Sequence, residues 1–196
     1  EIELGSSLVD PADPTSSRAV VLGGAATDYL TVPTRFEQRL RSWTLEAWVN
    51  PTNAVDGAGI ILRRAVQSLA NGGYAQNYVI GLETNAGNLR LYAGYTLANG
   101  SNLVLRGASP IPTGQWTYVA ATYNNSSATL ILYTNGVICA STNRFSTSPP
   151  LNGKGGETFV RIGEDLAGQV DEVRLWSVVR SSTEIAASYS QVLTNQ

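Results

Sequence analysis

Between Ser42 and Pro51 the chain reads SWTLEAWVNP, with an apolar residue at every second position. Strand side chains alternate between two faces. Trp43, Leu45, Ala47 and Val49 therefore share an apolar face, while Thr44, Glu46, Trp48 and Asn50 share one that mixes carboxylate, indole, hydroxyl and amide. A greasy face backed by a selectively polar one suits a central strand of an antiparallel sheet. The stretch Gly168 to Ser177, GQVDEVRLWS, has the same character. Alternation puts Asp171, Val173 and Leu175 on one face, and Val170, Glu172, Arg174 and Trp176 on the other. These two stretches are read as the frame of the fold.

The rest of the chain breaks into short segments of the same period. Ala19 to Leu22 is an apolar strand stopped by Gly23 and Gly24, and Asp28 opens DYLTVP. Further strands are expected at Gly59 to Ala65, Asn77 to Glu83, Asn88 to Leu97, Leu103 to Arg106, Gln115 to Tyr123 and Thr158 to Gly163. TLILYT and VICAST flank Asn135-Gly136, the pair preferred in a two-residue I′ turn, and predict a hairpin over Thr129 to Thr142. Arg35 to Arg41 reads as one helical turn or a loop. Ser181 and Glu184 have capping-box spacing and predict a short helix at the end. Roughly eleven to thirteen short strands with almost no helix predict an all-β sandwich or barrel. Residues 18–196 read as one domain, and residues 1–17, which contain DPADPTSS, as a flanking linker or edge segment.

Composition narrows the function. The net charge is −2, only 14% of residues are charged, and no basic stripe stands out, which argues against nucleic acid or an anionic membrane as partner. No apolar run reaches the length of a membrane span. The cations are twelve Arg and the single Lys154, amid many Asn, Thr, Ser, Gly and Tyr, a balance that suits a secreted or cell-surface protein. The chain opens at Glu1 and is expected to be a mature or excised module. Its one cysteine, Cys139, precludes an internal disulfide and reads as a small buried hydrophobe. There is no histidine, which excludes Ser-His-Asp and Cys-His catalysis and nearly all zinc sites. Carboxylates, amides, hydroxyls, arginines and aromatic rings are left to do the work.

Five motifs in order resemble one family: Leu22-Gly-Gly with Asp28-Tyr29; Ser42 to Pro51; Gly114 to Tyr123, GQWTYVAATY; Leu132 to Val137, LYTNGV; and Gly168 to Ser177 followed by Arg180 to Ile185. Together, over about Arg18 to Ser188, they resemble the LamG-like domain, laminin G type 3 group, of the concanavalin A-like lectin/glucanase superfamily. The resemblance implies a two-sheet antiparallel jelly-roll β-sandwich with a concave and a convex sheet. It leaves function open, because lectins, glycan-binding modules, glycosidases and protein-binding modules share this fold.

The candidate chemistry follows. Glycosidases of this fold carry paired carboxylates on one strand. Here Glu46 has no acidic neighbour on its strand, and Glu164-Asp165 and Asp171-Glu172 are adjacent pairs that point to opposite faces, so no catalytic residue is expected. The resemblance implies a structural calcium, with Asp28 and Asp171 as candidate ligands. The alternative is that Asp171 caps backbone N–H groups and Asp28 makes an Asx turn. Glu46 and Arg174 are expected to pair if the two framing strands lie side by side, with the indoles packed beside them. Tyr74, Asn77, Arg90 and Tyr92 form the candidate carbohydrate surface, rings for sugar faces and amide or guanidinium for hydroxyls; ordinary strand surface is the competing reading. Gly153-Lys-Gly-Gly156 lacks P-loop spacing, and Asn99, Asn124 and Asn125 match the glycosylation pattern, as Asn-rich turns often do. The expected function is a non-catalytic extracellular carbohydrate-binding module of a larger secreted or surface protein. Its partners would be a polysaccharide or glycan and other domains of the parent, with neither nucleic acid nor membrane insertion. A protein-interaction or adhesive spacer domain and a divergent glycosidase are the alternatives.

Overall fold

The computed structural model describes residues 19–55, 57–68, 74–143, 150–151 and 158–190. Among them are twelve strands and one helix. The first sheet holds, in spatial order, β1 (Val20–Gly23), β12 (Ala167–Trp176), β3 (Trp43–Pro51), β8 (Thr117–Asn124), β9 (Thr129–Thr134) and β10 (Val137–Thr142). The second holds β2 (Leu30–Val32), β11 (Phe159–Glu164), β4 (Gly59–Ser68), β5 (Tyr74–Asn85), β6 (Asn88–Thr96) and β7 (Asn102–Ile111). Every pairing is antiparallel. The helix α1 (Ser182–Ser190) follows β12. This is the two-sheet sandwich with a short C-terminal helix that the strand pattern and the family resemblance imply.

The two framing strands are neighbours at the centre of the first sheet, β12 against β3. Trp43, Leu45, Ala47 and Val49 are fully buried and look inward, as alternation requires. Between the sheets Trp43 meets Tyr123 at 5.6 Å and Tyr78 at 6.4 Å, ring centre to ring centre, and the Tyr95 and Tyr123 hydroxyls bond at 2.7 Å. Each such side chain removed from water contributes about 1.5–3 kcal/mol.

The outer face of the first sheet is closed by α1. Ile185 packs against Trp48, Tyr118, Ala120 and Tyr133, and the Tyr189 ring lies 5.7 Å from that of Trp48. The helix is started by a capping box: the Ser181 amide donates to Glu184 Oε2 at 2.7 Å, and the Glu184 amide donates back to Ser181 Oγ at 3.3 Å. Beneath it the buried Glu46 carboxylate accepts from Arg174 at 3.3 Å and from Arg180 at 2.5 Å. Arg180 also donates to Ser188 Oγ at 2.7 Å, and its guanidinium stacks on Trp176. The expected Glu46–Arg174 pair thus exists, and it fastens the helix to the sheet.

Three details differ from alternation and turn signals alone, whereas Phe36–Gln38 forms a single 3-10 turn, one of the two forms expected over Arg35 to Arg41. The strand at Leu103–Arg106 runs on through Pro110 to Ile111 as β7. The Asn135-Gly136 turn forms with φ values of 50° and 76°, but β10 then bulges between Ile138 and Ala140. In β12 the register to β3 shifts between Asp171 and Arg174, where Glu172 has φ 47°. That bulge inserts one residue and resets the alternation. Val170, Val173 and Leu175 therefore face the core, while Asp171 lies opposite Trp48 and Arg174 opposite Glu46.

Candidate functional site

With α1 on the first sheet, the outer face of the second is the broad face on which no described helix or strand packs. Its residues follow from register. Ile162 and Leu62 pair facing inward, so Arg161 and Arg63, which pair with each other, face out. Phe159 has the same parity as Arg161, and Tyr29 the parity of Thr31, the β2 partner of Arg161. The Arg161 guanidinium sits 4.0 Å from the Tyr29 ring and 4.0 Å from the Phe159 ring, stacked with both. Arg63 lies 5.2 Å from Phe159 and 5.4 Å from Tyr74, and the rings of Tyr74 and Phe159 meet edge to face at 4.9 Å. The result is a band of alternating rings and guanidinium planes across the sheet.

Both arginines converge on Glu164, whose carboxylate accepts from Arg63 at 2.6 Å and from Arg161 at 2.8 Å. Strict alternation would point Glu164 inward, beside Ile162. Gly163, at φ 82°, breaks the alternation and turns it to the arginines. A side chain at Gly163 would also strike Leu22, so glycine is required there for both conformation and space.

Tyr92 continues the face. Its ring lies over Gly81, its cross-strand partner, and a Cβ added to Gly81 would stand 2.7 Å from the Tyr92 hydroxyl. Gly81 is the floor on which the ring rests. Burial pushes the Tyr92 phenol up to about 12 against the opposing pull of Arg63, with a smaller upward push from Glu83. It stays a neutral donor and acceptor at ordinary pH. Beyond it, Arg106 Nε donates to Glu83 at 2.7 Å, and Arg90 donates to the Ala108 carbonyl.

The four residues singled out as a carbohydrate surface separate here. Tyr74, Arg90 and Tyr92 lie on this face. Asn77 does not: it is fully buried, donates to the Leu40 carbonyl at 2.9 Å and accepts the Leu40 amide at 3.0 Å. It ties the loop before β3 to β5 and presents nothing to a ligand. Four contributors were not assigned to this surface from the sequence: Tyr29, Arg63, Phe159 and Arg161. The alternation of FVRIGE, with Phe159 and Arg161 opposite Val160 and Ile162, carries the signal for two of them.

The two candidate calcium ligands are not brought together. Asp28 accepts the Gly23 amide at 3.0 Å, and Gly23 pairs with Ala167 at the start of β12. Asp171 lies four residues further along, about 13 Å at strand rise. The bulge also puts it on the outer side of the first sheet instead of the apolar face, where its carboxylate accepts the Glu172 amide at 2.7 Å. That is the backbone-capping alternative for Asp171. The Asp28 bond reaches back five residues, unlike an Asx turn. Among the described residues no three acidic or cysteine side chains cluster as a metal site would need, so this pair does not fit one calcium centre.

Among the described residues, Glu83 and Glu164 are the carboxylates that the arginines of the open face hold, and the exposed Asp165 also acts on Tyr92. Glu83 and Glu164 stand two strands apart, about 10 Å across the sheet, and each is already bound to a guanidinium. A retaining glycosidase needs its pair about 5 Å apart.

The fold and face define a concanavalin A-like sandwich with one open sheet. A family model, Laminin_G_3 of the Concanavalin A-like lectin/glucanases superfamily, matches residues 22–186, and the chain belongs to that family. Among solved structures it is similar to the CBM40 of the Ruminococcus gnavus IT-sialidase, at 14% identity and a TM-score of 0.70 over 88% of this chain and 97% of that one. It is similar to domain 4 of AbnA, a GH43 extracellular arabinanase from Geobacillus stearothermophilus, in complex with arabinotriose, at 22% identity, TM-score 0.61, and 92% and 80% coverage. A heptameric SAP-like pentraxin from Limulus polyphemus is similar at 15% identity, TM-score 0.54, and 76% and 70% coverage. At such identities the likeness is one of fold. No curated protein matches the chain.

Proposed function

We propose that this chain is a non-catalytic carbohydrate-binding module of a larger secreted or surface protein, and that its glycan lies on the outer face of the second sheet. One observation carries the reading. The face left open by α1 is the face on which Tyr29, Phe159, Tyr74 and Tyr92 interleave with Arg161 and Arg63. Rings take the apolar faces of sugars, and guanidinium N–H groups take their hydroxyls. The band runs from β2 to β6, about 19 Å across the strands, which suits an oligosaccharide of several residues better than a single terminal sugar. The CBM40 was solved with sialyllactose and the AbnA domain with arabinotriose, which makes a glycan the ligand class to test first. The arginine-bound state and the spacing of Glu83 and Glu164 support a binding role over a hydrolytic one.

The test is calorimetric titration of the protein against a panel of soluble polysaccharides, with and without a chelator. Binding to at least one is expected, unchanged by chelation, because Asp28 and Asp171 do not share a centre. Phe159→Ala and Arg161→Lys should each weaken it about three- to thirtyfold, since each dismantles a stacked ring–guanidinium contact. Failure to bind any polysaccharide would favour the adhesive spacer reading. Hydrolysis abolished by substituting Glu83 or Glu164 alone would replace the binding reading with a catalytic one.

A further inference from the structure

The strand that turns Arg63 to the open face turns the next residue, Arg64, into the sandwich. Arg64 pairs with Val160 on β11 and Tyr78 on β5, both members of the core, and is only 1% exposed. A guanidinium stays charged at any pH a protein tolerates. Burying one is costly unless its charge and its N–H groups are compensated. Buried Arg63 obeys this rule, and so do the half-buried arginines: Arg63 and Arg161 hold Glu164, while Arg174 and Arg180 hold Glu46. Arg64 has no such carboxylate among the described residues, and its Nε and Nη1 donate to nothing there.

Its surroundings repeat the imbalance. The Tyr78 hydroxyl and the Trp43 indole N–H are also buried without a partner, and their rings lie 6.4 Å apart. Burial lowers the Arg64 pKa, Tyr78 acts against that shift, and a second cation, Arg39, acts with it. This part of the core therefore gathers guanidinium, indole and phenol donors with no acid among the described residues, and the exposed Arg39 adds a second positive charge to its field. Water would satisfy the donors and leave the charge. An anion satisfies both.

We propose that Arg64, with Tyr78 and Trp43, binds a small monovalent anion of the halide class inside the sandwich. The site lies on the opposite side of the sheet from the proposed glycan face and stands independently of it.

The experiment uses bromide as probe. Crystals of the whole chain are soaked in sodium bromide and anomalous density is sought. Melting is compared in sodium bromide, sodium chloride and sodium gluconate at equal ionic strength. Expected are a bromide peak within hydrogen-bonding distance of Arg64 and a melting temperature about 2–4 °C higher in the halides. Arg64→Met should abolish that difference. Tyr78→Phe, which removes only the hydroxyl, should reduce it. Equal melting in halide and gluconate, an undiminished halide effect in Arg64→Met, or an ordered water in place of bromide would each overturn the proposal. Should Arg64→Met fail to fold, the wild-type bromide map decides alone.

Discussion

Gly81 shows how one residue without a side chain shapes the open face. The Tyr92 ring occupies the space a Cβ would need, and the Gly59 carbonyl stands 2.6 Å from that same point. Gly81→Ala should therefore lift the ring and strain the β4–β5 pairing together. The expected outcome is a loss of about 1–3 kcal/mol in denaturant unfolding, from overpacking, with a fall in glycan affinity matching that of Tyr92→Ala. Retained affinity in Gly81→Ala would remove Tyr92 from the face. The sequence shows Tyr92 on the polar side of its strand, but not that its ring lies flat, because that depends on a glycine on the neighbouring strand. Asn77 teaches the converse. Its type and parity suit a ligand surface, yet a backbone 37 residues away in sequence takes both ends of its amide.

At the scale of elements, the Arg174–Glu46–Arg180 cluster decides which sheet stays open. Glu46 is fully buried and is the shared partner of two cations. Glu46→Gln would leave Arg180 underneath α1 without its ion-pair partner and Arg174 with Glu172 alone, and removing one partner of a buried pair costs about 3–5 kcal/mol. The expected phenotype is a less stable protein whose helix amides exchange faster than those of the second sheet, read by hydrogen exchange. Uniform loss of protection would mean that the cluster supports the whole sandwich rather than the latch. The pairing of Glu46 with Arg174 was legible in the sequence from the mixed faces of the two framing strands. Arg180 was not, because it joins from beyond the end of β12.

Across the whole molecule the ionisation pattern predicts an asymmetric response to pH. There is no histidine to titrate near neutrality. Burial raises the phenols of Tyr78, Tyr118 and Tyr123, and pushes that of Tyr92 to about 12. A group whose folded pKa is raised contributes stability that is full below its unfolded value, about 10 for tyrosine, and is lost as pH rises through the folded one. Stability should therefore fall between about pH 10 and 12, with phenolate absorbance appearing together with unfolding. Phenolate signal well before unfolding would show these rings open to water.

Sequence alone determined the class of fold. Period-two alternation, the Asn135-Gly136 turn and the Ser181–Glu184 cap are local signals, readable wherever a side chain's face depends only on its neighbours along the strand. The third dimension decided the sites. The bulge at Glu172 moved Asp171 off the apolar face, and Gly163 turned Glu164 outward. Cross-strand register brought Tyr29, distant in sequence and just before β2, onto the Arg161 guanidinium that Phe159 flanks on β11. A single inserted residue or one positive φ reverses every face beyond it, and no pattern of hydrophobic positions records where that happens until strands pair.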